Sequence, residues 1–308
     1  MQVDVNSSAA DTLRSRVSHF ITDPVRSNSP FSRVRTDVQL VVSRILTHNW
    51  EAVIFGGILR DLMLRPSNWL PRDIDIVVSN VSNQELEMEF SDLLDRRTRF
   101  GGLHLRRNAM FDVWSLPSTW AIREFHLTET FSELPRTTFL NIEAVAIDLG
   151  SESGKPRSIY SHGFFESLTS RTLEINFEPN PYPELCVVRS LIMAAKLDFA
   201  IGARLAEYLI REASRASARA LIDVQYQHYG AVRLTTEDLE YWLDCIKGEY
   251  GRRERITLPV SKERQRVLWN WPTLRDSSSL NGNRKLRGVA RRRRLSSPQT
   301  GDGSGKLF

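Results

Sequence analysis

Ala52-Val53-Ile54-Phe55-Gly56-Gly57-Ile58-Leu59-Arg60-Asp61, then, after a loop, Arg72-Asp73-Ile74-Asp75-Ile76-Val77-Val78: these two stretches decide how the chain is read. Four apolar residues running into two glycines form a short buried strand, and residues 58–64 continue as a helix. Pro66, Ser67, Asn68 and Pro71 make a loop, and residues 74–78 are a second strand. A strand that ends in Gly56-Gly57 and opens a helix lets backbone N–H groups approach a phosphate, and the helix dipole favours negative charge there. Side chains alternate along a strand, so Asp73 and Asp75 share one face while Ile74 and Ile76 enter the core. Two neighbouring carboxylates repel unless a cation lies between them, and magnesium prefers carboxylate and phosphate oxygens.

Working outward, residues 1–33 are rich in Ser, Asn, Asp and Pro and read as a loose lead-in. Val38, Val41, Val42, Ile45 and Leu46 lie on one face of a helix that begins near Thr36. Residues 83–94 read as a helix, and 103–106, 110–116 and 141–149 as strands. The middle one holds Phe111-Asp112-Val113-Trp114, an acid inside an apolar strand, which is costly unless it faces solvent or a ligand. Asp112 therefore offers a third carboxylate. Two divalent ions about 3.5–4 Å apart on such a trio would serve an in-line displacement at phosphorus. Taken singly, each part has a plainer reading: the Gly-Gly as a turn, Asp-x-Asp as a solvated strand face. Their order and spacing together point to catalysis.

After residue 163 strand signals fade, and 183–199, 201–213, 216–229 and 236–248 read as helices. The expected fold is α+β: a head with a small mixed sheet over 34–165, then an all-α part over 166–275. Residues 276–308 form a basic tail too polar to bury a core.

These residues resemble the head domain of the tRNA CCA-adding enzyme and bacterial poly(A) polymerase family, within the polymerase-β-like nucleotidyltransferases. The pattern Gly-Gly-x-x-Arg-Asp, Asp-x-Asp and a later acid is met by Gly56, Gly57, Arg60, Asp61, Asp73, Asp75 and Asp112, with a basic residue, Arg72, before the pair. Residues 136–141 with Ala144 and Asp148 resemble a second family segment, although Thr137 stands where an acid is expected. Residues 187–199 resemble the neck helix. The resemblance implies that Asp73, Asp75 and Asp112 hold two magnesium ions, with manganese as a substitute. It further implies that Gly56, Gly57, Arg60, Asp61, Arg72, Arg136 and Arg189 contact the nucleotide. The activity implied is transfer of a nucleoside monophosphate from an NTP such as ATP to an RNA 3′ end, as in tRNA processing. At the family's base-reading positions, before the neck helix, stand Tyr182, Pro183 and Cys186. This departure keeps two other readings open: nucleotidylation of a protein or small molecule, as in toxin and defence enzymes, and an inactive nucleotide- or RNA-binding module.

Composition bounds the rest. At 308 residues, 41% hydrophobic and 26% charged, the chain has the make-up of a globular protein of roughly two domains. The net charge is +5, but residues 281–308 carry eight Lys or Arg and one acid, so the remainder is near neutral. Any attraction to a polyanion rests on that tail, above all on Arg291, Arg292, Arg293 and Arg294. No stretch is apolar enough to span a membrane, and no basic start precedes an apolar run. Cys186 and Cys245 read as thiols of a reducing compartment, which makes the expected location cytoplasmic. No histidine stands at zinc-ligand spacing, and no Gly-x-Ser-x-Gly elbow is present. Phe100-Gly101-Gly102 reads as a tight turn in preference to a second phosphate loop. Trp120 and Phe125 read as core, and Trp114, on the Asp112 face, as the better base-stacking candidate.

Overall fold

The computed structural model describes residues 5–25, 29–65, 71, 73–150 and 155–269, which fall in one compact unit. Arg72 and the basic tail with Arg291, Arg292, Arg293 and Arg294 lie outside the described residues. Helices α1 (Val5–Ile21) and α2 (Pro30–Thr47) precede β1 (Ala52–Phe55), α3 (Gly57–Leu64) and β2 (Asp73–Val78). Next come α4 (Asn83–Glu89), β3 (Leu94–Arg97), β4 (Leu103–Arg106), β5 (Met110–Ser115) and α5 (Trp120–Glu124). The chain continues through β6 (Val145–Asp148), β7 (Ile159–Ser161), α6 (Phe164–Ser170), β8 (Thr172–Leu173) and α7 (Pro183–Leu197). It ends with β9 (Ala200–Gly202), α8 (Ala203–Arg215), α9 (Ala218–Tyr229), α10 (Thr236–Glu249), β10 (Arg255–Ile256) and α11 (Lys262–Trp269).

The fold is mixed α and β. Its main sheet has seven strands in the order β3-β4-β5-β2-β1-β6-β7, and a smaller one has the order β10-β9-β8. In the main sheet only β2 and β5 run parallel. That parallel pair brings the strand of Asp73 and Asp75 beside the strand of Asp112, in register. One sheet face carries Ile54, Ile74, Ile76, Phe111, Val113 and Ile147 into the large core, and the other carries Val53, Val77 and Ala146 into a small cluster with Ile122 and Leu134.

Local signals place several boundaries. Ser29 accepts from the Ser32 N–H and Pro30 opens α2, a preorganised start. Ser82 and Glu85 form a reciprocal capping box at α4. That helix ends at Glu89, and the chain turns to give β3, a strand absent from the expected 83–94 helix. The β4–β5 connection is held from α2: buried Asp37 accepts from Arg107 Nε at 2.9 Å and from the Asn108 N–H at 2.7 Å.

Further expectations differ from the structure: the stretch 166–275, expected all-α, also holds the short strands β8, β9 and β10, which are strand only by pairing with one another. Residues 1–33 are not a loose lead-in over their described part, because α1 buries Leu13, Val17, Phe20 and Ile21. Spacings of four, three and one put these on one helix stripe, hidden in sequence by the polar residues around them. No break in packing separates 34–165 from 166–275, since Ile54 and Ile74 share a core with Val187 and Leu191.

Candidate active site

The cluster-bearing face of the sheet holds the acids at the other end of the same strands. Along β2, Asp73, Asp75 and Val77 share this face, and along β5 so do Met110, Asp112 and Trp114. Strand register sets Ala146, Phe55, Asp75, Asp112 and His104 in one row across five strands. Asp75 and Asp112 are direct neighbours in that row, and Asp73 lies one step along. Desolvation raises the Asp75 pKa well above the usual carboxylate range, and Asp112 and Asp73 push it further up. Arg189 opposes this only in part.

Whether a metal fits can be judged from these groups. Among the described residues no three His, Cys, Asp or Glu side chains already converge as a ligand set. What is gathered is like charge: three sets of hard carboxylate oxygens, among which burial and the charges of Asp112 and Asp73 disfavour ionisation of Asp75. Divalent cations suit that donor set, and binding would restore the charged form of Asp75.

The glycine turn abuts this row. Gly56 has φ 73° and ψ −132°, a conformation that disfavours any residue with a Cβ. A methyl group there would lie 3.8 Å from Asp75 Oδ2, so the turn and the carboxylate are neighbours. The Gly56 N–H is used by the Val145 carbonyl at 2.9 Å, and no side chain caps α3 among the described residues. The Leu59 N–H turns back to the Gly56 carbonyl at 3.0 Å, which leaves the Gly57 and Ile58 N–H groups as the leading donors at the positive end of the helix.

Arg60 and Asp61, expected to contact the nucleotide, are buried and paired within the protein. Arg60 Nε donates to Asp61 Oδ1 at 2.7 Å and Nη1 donates to Glu143 Oε1 at 2.6 Å. Glu143 also accepts from Arg189 Nη2 at 2.8 Å on each oxygen. Burial alone would raise Glu143, but Arg189 and Arg60 more than offset it and hold it down at about 2. The Glu143 carboxylate in turn raises Arg189. Asp61 is likewise lowered, with Arg60 and Lys196 outweighing desolvation. Arg189, on α7, is therefore tied to the sheet through Glu143 while its side chain stays 37% exposed. Arg136 is exposed on the short turn Leu134–Thr137.

Glu143 and His104 were not singled out from sequence. Glu143 is followed by the strand residues 145–148 and, as an isolated acid, carries no spacing signal. His104 lies eight positions before Asp112, a separation that only the β4–β5 pairing turns into contact: His104 Nδ1 and Asp112 Oδ1 are 2.7 Å apart. Trp114 is half-buried, donates Nε1–H to Thr119 Oγ1 at 2.9 Å and meets Phe55 edge-on. Phe125 is not a core residue. It is 41% exposed and packs edge-on against Trp120 and Phe177. Gly101 and Gly102 close the β3–β4 hairpin, with the Thr98 N–H donating to the Gly102 carbonyl at 2.7 Å. Cys186 and Cys245 are both unpaired thiols. No helix among the described residues is long and apolar enough to cross a membrane.

No protein-family model matches the chain, and no curated protein sequence does. Solved structures do. A CCA-adding enzyme in complex with ATP is similar at 17% identity and TM-score 0.49, over 71% of this chain and 49% of that one. A tRNA nucleotidyltransferase with a primer tRNA and an incoming ATP analogue is similar at 19% and 0.44, over 59% and 54%. A tRNA-processing enzyme with CTP is similar at 18% and 0.47, over 68% and 57%. The chain spans about half the length of the structures it matches.

Proposed function

We propose that the protein is a metal-dependent nucleotidyltransferase that moves a nucleoside monophosphate from an NTP to a hydroxyl, releasing pyrophosphate. The observation that carries this reading is the Asp73, Asp75 and Asp112 face, where a half-buried carboxylate is destabilised by two others beside an uncapped helix start. Folding alone does not favour such an arrangement, because buried like charge costs free energy unless a ligand compensates it. Asp73, Asp75 and Asp112 would hold divalent cations, which when bound lower the pKa of an attacking hydroxyl and neutralise charge on the triphosphate and leaving pyrophosphate. The Gly56-Gly57 turn lets the phosphates approach the first N–H groups of α3. Arg189, held by Glu143, places a fixed positive charge beside Asp75, where it can orient an anionic substrate. Arg60 acts one layer below, keeping Glu143 ionised. Arg72 and Arg136 complete the proposed nucleotide contacts.

For the acceptor, an RNA 3′ end is the primary reading, with the basic tail as its electrostatic handle. A second reading, nucleotidylation of a protein or small molecule, is favoured by Tyr182: it stands at a base-reading position, and its hydroxyl and ring are both engaged by Arg99. The test is transfer of label from each α-phosphate-labelled NTP with magnesium into total RNA and total protein, beside an Asp73→Ala/Asp75→Ala control. Label in RNA that vanishes in the control supports the primary reading, and label in protein supports the second. No carboxylate-dependent label in any acceptor pool, small molecules included, would overturn the enzyme assignment.

A further inference from the structure

His104 is a buried polar residue in β4, paired across the sheet with Asp112 on one side and Arg96 on the other. Its neighbours in β4, Leu103 and Leu105, enter the large core, and His104 lies on the opposite face, only 6% exposed. The register sets it directly across from Asp112. The hairpin presses β4 against β5 there: a Cβ on Gly102 would meet Trp114 Cβ at 2.9 Å, so glycine is required for the approach. The turn at the far end is held by Asp37. Both ends of this strand pair are thus constrained, and between them His104 Nδ1 reaches Asp112 Oδ1 at 2.7 Å. Among the described residues this is the only hydrogen bond of the His104 side chain. An ionised carboxylate is acceptor-only, so with Asp112 in the charged form that a cation would require, Nδ1 is the donor.

We infer that His104 is a positioning residue for Asp112: its Nδ1–H occupies Oδ1 and fixes the carboxylate plane, leaving Oδ2 to complete the cation site with Asp73 and Asp75. This inference rests on the catalytic reading. An Asp with one oxygen anchored by a rigid ring loses less rotamer freedom on ligation than one that turns freely. A role in packing alone would be met by a leucine. A role through the hydrogen bond needs an N–H at the Nδ1 position, which the asparagine amide supplies and leucine does not.

The experiment titrates Mn2+ alone into the full chain and follows unbound Mn2+ by electron paramagnetic resonance. It compares wild type, His104→Leu, His104→Asn and Asp75→Asn, each shown to be folded by circular dichroism in chelator. Loss of a residue that supports a metal ligand costs roughly 10–100-fold in affinity, and that loss is expected for His104→Leu. His104→Asn should recover most of it. In label transfer, His104→Leu should lower kcat while the KM for NTP stays near wild type. Wild-type Mn2+ affinity in folded His104→Leu would overturn the inference and leave the catalytic reading standing. So would a His104→Asn variant as weak as His104→Leu. Absence of Asp75-dependent Mn2+ binding in wild type would overturn both.

Discussion

Two groups of charge meet at the Gly56-Gly57 turn, and each centres on a buried carboxylate, with opposite outcomes. Beside Gly56 is Asp75, whose ionisation is opposed by burial and by Asp112 and Asp73. A methyl on Gly57 would lie 3.4 Å from both Arg60 Nη2 and Glu143 Oε1, in a cluster where every acid has a guanidinium and Glu143 is held at about 2. Burial raises both carboxylates; among the described residues only Glu143 has cations within hydrogen-bond distance to reverse the sign. The Glu143 carboxylate is therefore paired as folded, whereas Asp75 is left with like charge from Asp112 and Asp73 that Arg189 offsets only in part. In the proposed function the paired carboxylate, Glu143, is architecture, and Asp75 is where a cation would bind.

The difference predicts how each group responds to removal. Asp75→Asn should lower carboxylate-dependent label transfer by roughly 100–1,000-fold, the usual cost of losing electrostatic stabilisation of the transition state. In chelator its melting temperature should match or exceed wild type, and a clear fall would break the comparison. Glu143→Ala should do the reverse in stability. It leaves Arg60 without its inner partner, and urea unfolding should show a deficit of about 3–5 kcal/mol, the usual result of unpairing a buried ion.

The pH dependence sharpens the contrast. Glu143 is depressed from its ordinary 4.5 to about 2, so its contribution is present above pH 4.5 and is lost as pH falls toward 2. Glu143→Gln should flatten that part of the stability curve. Asp75 is raised, so its ionisation in chelator lowers stability as pH climbs above the ordinary 3.8, and Asp75→Asn should gain on wild type over that rise. Denaturant melts across pH measure both slopes, and slopes of the same sign would remove the distinction.

Gly56→Ala tests the turn between the two groups. Its positive φ with extended ψ disfavours alanine by about 1–3 kcal/mol, although the added methyl has room at 3.8 Å. A thermal melt showing no loss would mean the backbone relaxes. The smallest effect is expected at Arg136, exposed and remote from the core: Arg136→Ala should change stability by less than about 0.5 kcal/mol. Any larger shift in its melt would give that side chain a structural role that its exposure does not suggest.

Much of the strand and helix order was legible because apolar alternation and capping residues are local signals. The strands at 52–55 and 73–78 and the helices at 183–197 and 236–249 follow them within a few residues. The buried stripe of α1 was not, because polar composition masks four well-spaced apolar positions. Short β3 was absorbed into a helix because its residues, Leu94 to Arg97, are strand only by pairing with β4.

The sequence by itself determined which residues share a strand face, since a period of two admits one answer: Asp73 with Asp75, and Asp112 with Trp114. It also determined that Gly56 could take a backbone conformation closed to other residues. Only the tertiary structure decided which faces meet. The parallel β2–β5 pairing set Asp75 beside Asp112, the β4–β5 hairpin gave Asp112 its histidine, and α7 brought Arg189 to Glu143 across 46 positions of chain. Periodicity is a property of neighbours along the chain. Compensation of charge is a property of neighbours in space, and it separates the two groups at the glycine turn.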